Sequence, residues 1–127
     1  MLELRRRYYS YFNLYGKGKM IPTVGLEDKI REIDKPWSPI EIARVNDFVV
    51  RLSLFHGEYD WHKHTDEDEL FYVYRGKITI EIESQIALNL SQGQLAVVPK
   101  GVKHRPIASK PAYVMVIEPY FLKSKGD

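Results

Sequence analysis

The sequence predicts an all-β fold, a small antiparallel β-barrel preceded by an N-terminal extension. Three observations carry that prediction. From Ile40 onward, short runs rich in β-branched and aromatic residues recur about every ten residues, cut by turn residues. No helix-length segment alternates with them, which argues against a parallel α/β sheet. With 127 residues, 44% of them hydrophobic, the chain is long enough for one domain with a real core and too short for two ordinary ones.

The elements follow in order. Residues 1–39 read as an arm and lead-in, and residues 40–127 as the barrel domain. Leu26 to Ile33 (LEDKIREI) has the pattern for a couple of helical turns, and Pro36 and Pro39 end any helix there. IEIARV alternates, and Asn46-Asp47 turns it into FVVRLSLF, which Gly57 breaks. EYDWHKH continues extended. ELFYVYR is the next strand, and Gly76 turns it into KITIEIE. IALNL, the turn SQGQ, the strand LAVV, the loop PKGVKH with a short strand after it, and AYVMVIEP complete the set. Within ELFYVYR both faces are bulky: Glu69, Phe71 and Val73 on one, Leu70, Tyr72 and Tyr74 on the other. A strand apolar on both sides is covered on both. A homodimer, the commonest oligomer, is the expected cover, with the N-terminal arm as the alternative.

Charge and composition narrow the function. Residues 1–19 hold Arg5, Arg6, Arg7, Lys17 and Lys19 against Glu3 alone, so a formal net charge of +2 hides a basic arm on a chain that is otherwise acidic. The arm reads as a solvated extension. The acidic remainder argues against nucleic acid as the partner. Met20 offers an alternative start. The absence of cysteine excludes disulfides and thiolate sites, and predicts a cytoplasmic protein. No apolar run approaches the ~20 residues that span a bilayer, so no membrane partner is expected.

The stretch WHKHTDEDELFYVYRG concentrates the chemistry. His62 and His64, at i and i+2, project to one face of an extended chain. Glu69 opens the next strand with the parity of Phe71, and His104 follows the Pro99-Lys100-Gly101 turn. Three imidazoles and one carboxylate fit a first-row divalent transition metal and leave one or two positions for water or substrate. Asp66 and Glu67 read as solvated loop acids, and the parity of Asp68 opposes that of Glu69.

From about Ile40 to Pro119 the chain resembles a single-domain cupin. The first cupin motif is Gly, five spacers, His-x-His, three or four spacers, Glu, six spacers, Gly. It appears as Gly57, His62, His64, Glu69 and Gly76, with four spacers rather than five before His62. The second motif appears in GQLAVVPKGVKHRPIA as Gly93, Pro99, Gly101 and His104, with Ala108 where the family often has Asn. The resemblance implies a jelly-roll β-barrel with a metal near one open end and His62, His64, Glu69 and His104 as its ligands. The ion would be iron, manganese, nickel, copper or zinc.

Two functions remain open at this level. One is an enzyme of oxygenase or isomerase type. In it Phe71 and neighbouring inward residues form an apolar wall, and Arg105 serves as an anion anchor for a small-molecule substrate. The other is a non-catalytic binding module in which the metal is structural or absent. Tyr72, Tyr113 and Glu118 are the acid–base candidates outside the ligand set.

Overall fold

The structure, a computed structural model, describes residues 21–122 and 125–127. The basic arm therefore lies outside the described residues. One short helix, α1 (Leu26–Ile30), precedes seven strands: β1 (Ile40–Val45), β2 (Phe48–Glu58), β3 (Glu69–Arg75), β4 (Lys77–Ile82), β5 (Leu88–Ser91), β6 (Leu95–Val98) and β7 (His104–Pro119). All pairings are antiparallel. The two-residue turn Asn46-Asp47 pairs Val45 with Phe48, and Asn46 takes the left-handed conformation that such hairpins favour, with φ 54°.

The expected closed barrel is not formed. The sheet runs β1-β2-β7-β3-β6, with β5 joined through β4 to β7. Strands β1, β5 and β6 each have a single partner strand and so remain edges. The reason lies in β7, where the last two predicted strands are one 16-residue strand. Residues 107–119 pair with β2 on one side, with an irregularity between Phe55 and Gly57. On the other, residues 104–107 pair with β4 and residues 113–117 with β3. One long strand thus organises the sheet. The four-residue edges β5 and β6 are too short a ladder to close it, and short edges also limit edge-to-edge association.

The register sets an inner face. Arg51 lies opposite Val116, which in turn lies opposite Phe71; Ser53 lies opposite Val114, which pairs with Val73. With period two along each strand, Ser53, Phe55, Phe71, Val73, Val114, Val116 and Glu118 all point inward, and all are buried. Phe55, Phe71, Val73, Ile78, Ile80 and Val114 form the centre of the core. The outward face of β3 is half-buried, and Tyr74 Oη donates to Glu27 of α1 at 2.7 Å, so the lead-in helix reaches over part of it.

Gly76 joins β3 to β4 with φ 89°. A Cβ there would stand 3.0 Å from Ala112 Cβ and 3.2 Å from the Pro111 carbonyl oxygen. Gly76→Ala is therefore expected to destabilise the protein by about 1–3 kcal/mol, read from the urea midpoint, because it adds strain and a clash together.

Candidate metal centre

His62 and His64 sit on the link between β2 and β3, Glu69 at the start of β3, and His104 at the start of β7. The link is tied down by backbone bonds. His62 N donates to His104 O at 3.0 Å, and His104 N donates to His62 O at 2.8 Å. Gly101 N donates to His64 O at 2.7 Å. The Pro99–Gly101 turn thus fixes the histidine segment from the opposite side. Asp68 caps that turn by accepting from Lys100 N at 2.8 Å, which gives this acid a structural part.

All four side chains are buried, at 7% exposure or less, and one ligand atom from each lies within 4.8 Å of the others. Glu69 Oε1 is 3.4 Å from His64 Nε2 and 3.3 Å from His104 Nε2. Two donor atoms each ~2.1 Å from a shared ion stand about 3.0–3.4 Å apart, so the spacing fits. The tautomers agree. His62 Nδ1 lies 2.8 Å from the Asp60 carbonyl oxygen and His104 Nδ1 2.9 Å from that of Val102. A carbonyl only accepts, so Nδ1 carries the hydrogen in both rings and the Nε2 lone pair faces the cluster. His64 Nε2, also buried, has no hydrogen-bond partner among the described residues. Two lone pairs fixed in this way, the buried His64 nitrogen and a carboxylate converge on one point, an arrangement that can hold a divalent ion.

Protonation states support the same conclusion. Burial raises the Glu69 carboxyl, but its close contact with the His104 and His64 rings outweighs burial and holds the group below the usual carboxylate range. Burial lowers His62 below its ordinary value of 6.5, against the pull of the Asp60 carbonyl. Below that value an unfolded His62 gains a proton that the folded one refuses, so the unfolded chain binds more protons. The His62 contribution to metal-free stability is therefore expected to fall as pH drops from about 7 towards 5, and a His62→Gln variant to show a shallower decline in its urea midpoint.

A cavity of about 60 Å³ opens beside the cluster, with His62 and Glu69 in its wall. Phe71 lines it, as expected of a wall residue. Arg105 does not line it; its guanidinium donates to Glu58 at 3.2 Å and Glu81 at 2.6 Å and lies over the Trp61 ring. Among the acid–base candidates, Glu118 faces the cavity. Burial, and then the neighbouring Glu69 carboxyl, push it up to about 9 against the pull of Arg51. Trp37, Arg51, Ser53 and Tyr59 are among the other lining residues, and nothing in the sequence singled them out. For Glu118 a signal existed: it shares parity with Val114 and Val116 in VMVIEP.

The cupin-domain family model matches residues 54–118. The uncharacterized protein YdbB of Bacillus subtilis (strain 168) is 40% identical over 74 residues, 58% of this chain and 66% of that protein, just under two thirds of its length. A crystal structure of a cupin-2 domain containing protein from Shewanella frigidimarina NCIMB 400 is 38% identical, with TM-score 0.74, and covers 76% of this chain and 94% of that one. Hydroquinone 1,2-dioxygenase from Sphingomonas sp. TTNP3, solved with 4-hydroxybenzoate bound, is similar in fold alone. It is 16% identical, with TM-score 0.72, and covers 82% of this chain and 34% of that one. With the family match spanning both motif segments and all four buried ligand positions, the chain belongs to the cupin family.

Proposed function

We propose that this cupin binds a divalent transition metal through His62, His64, Glu69 and His104 and acts on a small molecule admitted by the adjoining cavity. The observation that carries the reading is the shared wall: His62 and Glu69 belong to both the metal cluster and the cavity. A bound divalent ion supplies Lewis acidity or one-electron chemistry at positions the protein leaves open. Phe71 and its aromatic neighbours exclude water and seat the apolar part of the substrate. Glu118 stands at the cavity wall, held at Oε1 by Arg51 Nη1 at 2.5 Å, and is placed to hold or deliver a proton. That group favours an enzyme of oxygenase or isomerase type over a purely binding module, and the fold shared with a hydroquinone dioxygenase is compatible with it. We place the domain at residues 40–127, with Trp37 and Pro39 of the lead-in contributing to its cavity. The protein pairs as a homodimer in this reading, supported by the exposed apolar residues Leu95 and Val97, which continue the outward face of β3 beside Tyr72 and Leu70.

The test is conversion of small hydroxy and carbonyl compounds by protein loaded in turn with iron(II), manganese(II), nickel(II), copper(II) or zinc(II), followed by oxygen uptake and by NMR of the products. Conversion that requires the ion and disappears in His62→Ala supports the reading. Absence of conversion with every ion, in protein that retains the ion, leaves a binding module. Light scattering at a mass near twice that of the chain supports the homodimer.

A further inference from the structure

His64 is held differently from the other two histidines of the cluster. In His62 and His104 a carbonyl oxygen meets Nδ1 and fixes the ring, from Asp60 at 2.8 Å and from Val102 at 2.9 Å. Among the described residues His64 makes no such bond, and its Nε2 has no hydrogen-bond partner. The residue is nevertheless buried, at 3% exposure. The direction of its ring therefore comes from the backbone that carries it.

That backbone is gripped from two sides. His64 O accepts from Gly101 N at 2.7 Å, on the side of the Pro99 turn. The groups that flank His64 are both held by one residue, Asp127. Its N–H donates to Lys63 O at 3.1 Å, and its Oδ1 accepts from Thr65 N at 2.8 Å. Asp127 thus binds the chain as a neighbouring strand would, with a main-chain donor and a side-chain acceptor. The approach depends on Gly126, which has φ 80°. A Cβ there would overlap the Lys63 carbonyl oxygen and stand 3.1 Å from His62 Cβ. Lys125 adds an ion pair with Asp60 at 3.4 Å, which contributes little because both side chains are exposed. Residues 59–68 join β2 to β3, outside every named strand, so ordering them around an ion costs conformational entropy. Bonds already formed before the ion arrives reduce that cost.

We infer that Asp127 is a positioning residue for the metal centre. Through its two bonds around His64 it aims that ring at the cluster, and Gly126 lets it come close enough to do so. Asp127 belongs neither to the ligand cluster nor to the cavity wall, so its effect passes through the His64 backbone. The inference rests on the metal reading proposed above and adds residues 125–127 to the machinery of that site.

The test is competition between the full chain and a chromogenic chelator for zinc(II), repeated with manganese(II), together with NMR amide exchange of the metal-free protein. Asp127→Ala is expected to weaken metal affinity about tenfold, the low end of the ~10–100-fold that follows loss of an orienting group. It should also speed exchange of the Thr65 N–H. Asp127→Asn keeps an acceptor oxygen but drops the charge, and is expected to stay within about twofold of wild type. Gly126→Val, which drives the segment off the loop, is expected to match Asp127→Ala. Asp127 is exposed, so the urea midpoint of chelated protein should be the same in all four proteins. An equal loss in Asp127→Asn would assign the effect to negative charge near the ion and overturn the inference. Wild-type affinity in both Asp127→Ala and Gly126→Val, or a loss accompanied by a lowered urea midpoint, would overturn it too. Firm binding by wild type with unaltered variants removes this inference alone. A wild-type chain that takes up neither ion removes the metal reading and the inference with it.

Discussion

His104→Ala is expected to weaken divalent-metal affinity by at least about 100-fold, since losing groups that merely orient ligands already costs ~10–100-fold. His104 is 1% exposed, its Nε2 stands 3.3 Å from Glu69 Oε1, and its ring lies 4.4 Å from that of His62 between centroids. Removing it takes away one of four donors and leaves the other three facing a void. The β7 backbone survives, because the bonds to His62 are made by main-chain atoms. Wild-type protein should accordingly gain thermal stability on addition of zinc(II) or manganese(II), by mass action, while the variant should not. Elemental analysis of both proteins, purified without chelator, supplies the stoichiometry. Equal metal content in the two would remove His104 from the ligand set.

Phe71→Ala is expected to cost about 3–5 kcal/mol of folding stability, measured by urea denaturation. The ring is 2% exposed and sits at the meeting point of core and site, edge-on to Phe55 and, at 6.0 Å between centroids, to His104. Its loss leaves a cavity between β2, β3 and β7 that surrounding strands cannot close, because their register is fixed on both sides of β7. The same change should enlarge the ligand cavity. A variant that still folds at low temperature is therefore expected to retain the metal, whose donors do not include Phe71, and to lose discrimination among small ligands. A loss under 1 kcal/mol would mean that the ring is not a core element.

The metal cluster was legible in the sequence because its placement depends on local geometry. His62 and His64 share a face through i, i+2 spacing, and Glu69 shares parity with Phe71 on one strand. The turn at Pro99 and Gly101 brings His104 beside them, and the mutual backbone bonds of His62 and His104 complete what spacing alone implies. The sheet's open path was not legible. Strand boundaries follow from turn residues, but closure depends on which edges find partners, a long-range property that β7 decides by running unbroken from His104 to Pro119.

The cavity shows the same division. Phe71 could be placed by parity, whereas Trp37 enters the wall from a lead-in segment through tertiary packing with Phe55 and Tyr59. Arg51 and Ser53 look like ordinary polar positions in FVVRLSLF, and only the pairing of β2 with β7 shows them turned inward. Arg105, a reasonable anion anchor beside His104 in sequence, is turned by strand alternation towards Glu81, its cross-strand partner on β4.

The most direct test is a crystal structure of the protein loaded with one divalent ion, with the ion located by anomalous scattering. A single peak bonded to Nε2 of His62, His64 and His104 and to a carboxylate oxygen of Glu69, with a coordination position facing the Phe71 side of the cavity, is the predicted result. An ion bound through other side chains, or no peak at this cluster in crystals containing excess metal, would contradict it.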